Sequence, residues 1–226
     1  MHIRGRGLTA DLTLRNVQLT CVRPGRNNDG FDISGCEDVL IEGCVVASAD
    51  DCIVIKSMAS DQQNRNLLAR GNIVYAYASG FKFGTESRGV YEGITCNGLQ
   101  VFGGTALGLY SVDGANTSNV RVEHVLARAV RCVLGMRLGA RLRSSYFAAG
   151  EERVVGSLDD VIIRDLDAEM AGVPYRDVLQ AHGIEGAEMA HQLIVGALEP
   201  SFISGLPEHP IHDVLLEDVR LSSPGG

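Results

Sequence analysis

Residues 27–57 read NNDGFDISGCEDVLIEGCVVASADDCIVIKS, and two short apolar strands stand out in them. Phe31–Ile33 follows Asn28-Asp29-Gly30, and Cys52–Ile55 follows Asp50-Asp51. Laying GFDI over CIVI brings Asp29 level with Asp51 and Asn28 level with Asp50. If successive segments stack, three carboxylates crowd one patch of surface. Mutual repulsion makes such a patch costly, so it asks for a functional explanation.

Between those strands lies DVLIEGCVV, and its pattern recurs along the chain. A polar residue, an apolar–x–apolar strand, a polar pair and a second apolar strand begin at Leu12 (DLTLRNVQL). The same phrase returns at Val39, Leu67 (NLLARGNIV), Ile94 (GITCNGLQV), Val120 (NVRVEHVLA), Val161 (DVIIRDLDA) and Val214 (DVLLEDVRL). The first five starts lie roughly 27 residues apart, a solenoid period. The last two gaps are longer and hold insertions.

Side chains within each phrase alternate with period two, as half-buried strands require. The leading Asp or Asn suits a turn in which its side chain bonds nearby backbone amides. A second series of strands fits between phrases: GFDI, CIVI, GFKF, GLYS and GMRL at Gly135–Leu138. Strand–turn–strand units too short for a crossover helix predict an all-β right-handed parallel β-helix, a single-stranded solenoid filled by ladders of Ile, Val, Leu and Phe. The LxxLxLxxN register of a leucine-rich horseshoe is missing.

One β-helix domain is expected over 1–226. It is broken by a polar loop at 142–158 and by an insertion around 170–204, where Glu185–Val195 (EGAEMAHQLIV) suits a short external helix. Uncapped end coils would expose strand edges, and the repeat is already under way at Leu12. The chain is therefore expected to be the middle and end of a longer catalytic domain, truncated at the N-terminus and near the C-terminus.

Composition narrows the function classes. The 226 residues allow a large core, and 27 glycines against six prolines suit many tight turns. A net charge of −8 argues against a nucleic-acid surface. Of 20 basic residues only two are lysines, Lys56 and Lys82, and both fall near strand ends in the acidic region. Cys21, Cys36, Cys44, Cys52, Cys96 and Cys132 show no zinc-type spacing and read mostly as buried thiols. There is no run of transmembrane length, no apolar leader core in MHIRGRG, and no dinucleotide or P-loop glycine motif. The expectation is a monomer with no cofactor, no nucleic acid and no membrane contact. It would be secreted or periplasmic, its leader lost by truncation.

The stretch 27–57 resembles the NTDG…DD signature of glycoside hydrolase family 28, the polygalacturonases and related pectin-degrading enzymes. SGFKFGTESRGVYEGITC (79–96) and FISGLPEHPIHDVLLEDV (202–219) are similar to bacterial relatives of that family. The resemblance implies a pectin-lyase-like β-helix that hydrolyses glycosidic bonds, mostly of galacturonic acid, with inversion. By position it implies Asp50 as general acid, with Asp29 and Asp51 orienting and deprotonating the attacking water. The physics agrees. Inversion needs acid and base about 6.5–9.5 Å apart, and strands about 4.8 Å apart bring outward acids of successive coils within such reach. Crowding also raises carboxylate pKa values, which favours a protonated acid.

Two family motifs are replaced. Ala78-Ser79-Gly80 stands where polygalacturonases carry GHG, so Ser79 occupies the histidine's place. Tyr110-Ser111-Val112 stands in place of RIK, which binds the substrate carboxylate. His124, His182, His191, His209 and His212 lie on later coils or in the insertion. An altered specificity is expected. Candidate substrate contacts are Asn28 and Ser79; Asp32, lining a subsite or facing water; Lys82, neutralising a substrate carboxylate or pairing with Asp32 or Glu86; Tyr110, stacking on a sugar; and Lys56, fixing the acids. Arg137 and Glu86 are weaker candidates. The alternatives are a calcium-dependent polysaccharide lyase, with the three aspartates as ligands and Lys82 as base, and a non-catalytic glycan-binding β-helix.

Overall fold

A computed structural model describes residues 2–25, 27–191 and 198–223. The seven phrases stack in register. Leu12 pairs with Val39, Val39 with Leu67, Leu67 with Ile94, Ile94 with Val120, Val120 with Val161 and Val161 with Val214, all parallel. The second series does the same, from Phe31 through Ile53, Phe81 and Leu107 to Leu134. Each repeat is thus one turn of a right-handed parallel β-helix.

Left-handed backbone makes the corners. The residue leading each phrase (Asp11, Asp38, Asn66, Gly93, Asn119, Asp160, Asp213) has positive φ. So has the later polar position (Asn16, Gly43, Gly71, Gly98, His124, Asp165, Asp218), and all fourteen values lie between 50° and 68°. Gly, Asn and Asp enter this region at least cost. The dihedral, more than side-chain bonding to the turn, therefore explains why both polar positions recur.

The interior is a ladder of fully buried side chains, among them Phe31, Ile33, Ile41, Ile53, Ile55, Phe81 and Phe83. Each such side chain contributes about 1.5–3 kcal/mol. Asn64 and Asn72 are also buried, and each accepts a backbone amide from the neighbouring coil: Gly35 N–H at 2.9 Å and Cys44 N–H at 2.9 Å. All six cysteines are free thiols, five buried and Cys21 half-buried. No helix of the described residues is long and apolar enough to cross a membrane.

Between the strands Val161–Met170 and Phe202–Ser204 the chain leaves the solenoid and folds back over earlier coils. Its helix is Tyr175–Ala181, earlier than the expected Glu185–Val195. Pro174 precedes it with φ −56°, an angle suited to starting a helix, and Gly183 and Gly186 beyond it are left-handed. Within the expected range Ala187–Met189 forms a single 3-10 turn, and 192–197 lie outside the described residues. Tyr175, Val178, Leu179 and Ala187 pack on Val22, Ala47 and Tyr75. The Tyr175 hydroxyl lies 2.7 Å from the Ser48 carbonyl oxygen and 2.9 Å from that of Tyr75. The loop 142–158 holds the short 3-10 turn Ser144–Tyr146 and the strand Ser157–Leu158.

Candidate active site

The first carboxylate is placed by a glycine. Gly30 donates its amide to the Asp51 carbonyl at 2.8 Å. A Cβ there would lie 2.4 Å from Cys52 O and 2.4 Å from Val46 Cγ1. Only glycine lets the coil carrying Asp29 approach the coil carrying Asp51 this closely. Ser48 ties the two turns together. Its Oγ donates to the Asn28 carbonyl (2.6 Å) and accepts from the Asp50 amide (3.0 Å).

Asp29, Asp50 and Asp51 each present one oxygen such that all three lie within 4.8 Å of one another. That is closer than the acid–base separation expected from neighbouring coils, and lysines offset part of the repulsion at Asp29 and Asp51. Lys56 Nζ lies 2.8 Å from Asp29 Oδ2 and 3.2 Å from Asp32 Oδ2, with Glu86 Oε2 at 3.9 Å. Lys82 Nζ lies 2.7 Å from Asp51 Oδ2. Among the described residues, Asp50 has no lysine at ion-pair distance.

The electrostatics follow. Burial raises the pKa of Asp50, and the Asp51 and Asp29 carboxylates raise it further. Burial also raises that of Asp51, against the pull of Lys82 and Ser79. Among the described residues, Asp51 Oδ1 is buried without a hydrogen-bond partner. For Lys56, burial works downward, but the bond to Asp29 and the charge of Asp32 leave its pKa raised.

These groups open into a cleft of about 190 Å³ lined by Asn27, Asp29, Asp50, Asp51, Lys56, Lys82, Thr85 and Glu86. Several sequence expectations change here. Asn28 is not among the lining residues; its amide donates to the Cys21 (3.0 Å) and Arg23 (2.8 Å) carbonyls, so it holds the turn. Asp32 neither lines the cleft nor faces water. It is 4% exposed, beneath Lys56. Lys82 pairs with Asp51, and neither Asp32 nor Glu86 is its partner. Lys56 braces Asp29, and Ser79 is buried beside Asp51. Tyr110 is half-buried outside the cleft, its ring centroid 5.9 Å from Lys82 Nζ.

Asn27 and Thr85 went unread as cleft residues, and Glu86 was underrated. Glu86 faces Lys56, Arg141 (3.7 Å) and Arg143 (3.9 Å). Arg141 is anchored on the fully buried Asp113 and donates to the Thr85 carbonyl at 3.0 Å. The loop after Leu138 thereby braces the cleft wall. The only signal in the sequence was Gly84, a glycine at a left-handed bend (φ 76°) directly before Thr85.

Comparison with known proteins bears on this same region. Residues 6–89 match the profile of glycosyl hydrolases family 28. A polygalacturonase of Saccharomyces cerevisiae is 34% identical over 68 residues, 28% of this chain and 19% of the yeast protein. A probable polygalacturonase of Arabidopsis thaliana is 32% identical over 50 residues, 22% of this chain and 11% of the plant protein. The aligned stretches thus span less than a fifth of either relative's length. What places this chain beside the glycosyl hydrolases of family 28 is the stretch 6–89, the one that carries Asp29, Asp50 and Asp51.

Proposed function

We propose that the protein is a secreted glycoside hydrolase that cleaves a pectin-type or other uronate-containing polysaccharide by inversion, with a specificity unlike that of a standard polygalacturonase. The observation that carries this reading is the unequal pairing of three adjacent carboxylates: Asp29 and Asp51 each meet a lysine, and Asp50 meets none. Asp50, with its raised pKa, is the general acid. Asp29 and Asp51 grip the attacking water. A water making two hydrogen bonds of about 2.8 Å bridges oxygens about 4.5 Å apart, which suits oxygens within 4.8 Å of one another. As the glycosidic bond breaks, Asp50 protonates the departing sugar oxygen. The water loses a proton to the Asp29–Asp51 pair and adds at the anomeric carbon.

The altered specificity rests on Ser79 and Tyr110 at the two changed motifs, and on Lys82 being engaged by Asp51. That engagement also counts against Lys82 as the base of a calcium-dependent lyase. The short spacing favours one second reading, a retaining route, in which carboxyl groups stand about 5–5.5 Å apart.

Product analysis on a panel of pectic glycans tests the proposal. Saturated reducing ends released by the wild type but not by Asp50→Asn, with an inverted first-formed anomer, are expected. Unsaturated products that require calcium would establish the lyase, and a retained anomer would establish the second reading.

A further inference from the structure

Beyond the cleft, the outward face of the same sheet carries a ledge that the three carboxylates do not use. Lys82 is level with Gly108, Gly108 with Gly135, and Gly135 with Phe202. Beside that row, Tyr110 is level with Arg137 and Arg137 with Ser204. Two stacked glycines leave the sheet bare, and Tyr110 covers it. A Cβ added at Gly135 would lie 2.6 Å from Tyr110 Oη and 3.1 Å from Phe202 Cζ. One at Gly108 would lie 3.7 Å from Tyr110 Cε2 and 3.3 Å from Lys82 Cγ. The Tyr110 ring therefore lies along the solenoid axis, from Lys82 toward Phe202.

Arg137 completes the ledge, with its guanidinium carbon 5.1 Å from the Phe202 ring centroid. It is exposed, and among the described residues it has no ion pair. Neighbouring arginines differ: Arg131 faces Glu199, Arg141 faces Asp113 and Arg143 faces Glu86. Both lysines of the cleft already serve the protein's own carboxylates. In a chain of net charge −8, an anionic sugar passing along this face meets Arg137 as its uncommitted cation. Arg137 lies three coils beyond the Asp50-Asp51 coil, about 14 Å along the axis at the usual strand spacing. That places it more than one sugar away from the bond to be cut.

We propose that Tyr110, Phe202 and Arg137 form a remote subsite for a uronate residue of the substrate. The guanidinium takes the sugar carboxylate, a planar fork meeting a planar anion. Tyr110 offers its half-buried ring to the sugar face. The subsite deepens the glycan-cleaving reading above and rests on it.

The test is a calorimetric titration of the full chain bearing Asp50→Asn, so that ligand is not consumed, with a galacturonate hexamer and with its carboxyl-reduced, neutral counterpart. Adding Arg137→Ala is expected to weaken the charged hexamer about tenfold, as losing one charged hydrogen-bonded contact does, and to leave the neutral one within about twofold. Tyr110→Ala is expected to weaken both, with urea midpoints confirming that each variant is folded. Unchanged binding of the charged hexamer by Arg137→Ala, equal loss for both hexamers, or no binding by the parent overturns the subsite. Wild-type cleavage is read separately. Arg137-dependent binding without cleavage would keep the subsite and remove the hydrolase reading.

Discussion

Lys82 Nζ sits 2.7 Å from Asp51 Oδ2, with both side chains almost closed to solvent. A matching contact joins Lys56 to Asp29 at 2.8 Å. The chain's two lysines thus answer two of three crowded carboxylates and leave Asp50 without a lysine partner, although burial raises the pKa of Asp51 as well as that of Asp50. On the proposed mechanism, the unpaired carboxyl is the acid and the two lysine-paired carboxylates hold the water.

Lys82→Met removes the charge while keeping most of the side-chain volume, and leaves the buried Asp51 carboxylate alone. Breaking a buried pair costs about 3 kcal/mol, measurable by urea denaturation at neutral pH. With the lysine gone, the pKa of Asp51 rises further. On the proposed mechanism Asp51 acts in its ionised form, so the acidic limb of the pH–rate profile is expected to move to higher pH.

The raised pKa values of Asp50 and Asp51 also fix a pH dependence of stability. The folded chain holds these protons at pH values where the unfolded chain has released them. Their contribution to stability therefore falls as pH rises from the ordinary aspartate range through the raised values, and is flat above. Asp50→Asn removes its share. The variant should melt above the wild type at neutral pH, with the gap closing below about pH 3.5. Thermal melts across that range check both the sign and the window.

Much of this was legible in sequence, and the reason is periodicity. The starts at Leu12, Val39, Leu67, Ile94, Val120, Val161 and Val214 are the residues that pair coil to coil, because each coil repeats the same two left-handed corners. The proximity of Asp29, Asp50 and Asp51 followed from overlaying two strands. Side-chain direction did not follow. Asp32 sits on the outer face yet is buried, because Lys56 arches over it to reach Asp29. Asn28 looked like part of an acidic motif, but its amide finds two backbone carbonyls inside its own turn. The helix Tyr175–Ala181 was missed because its contacts reach back to Val22, Ala47 and Tyr75, far earlier in the chain.

That return contact is itself testable. Tyr175→Phe keeps the ring and removes the hydroxyl shared by the Ser48 and Tyr75 carbonyls. A loss of about 1–2 kcal/mol is expected, read as a lower urea midpoint at an unchanged denaturant slope.

The central claim is that Asp50 delivers the proton to the departing sugar oxygen. It is tested most directly by comparing wild type and Asp50→Ala on two substrates, a pectic oligosaccharide and an aryl uronide whose phenolate departs without protonation. The account predicts a loss of about 10²–10⁴-fold on the oligosaccharide and a far smaller one on the aryl substrate. Equal losses on both, or none on either, would contradict it.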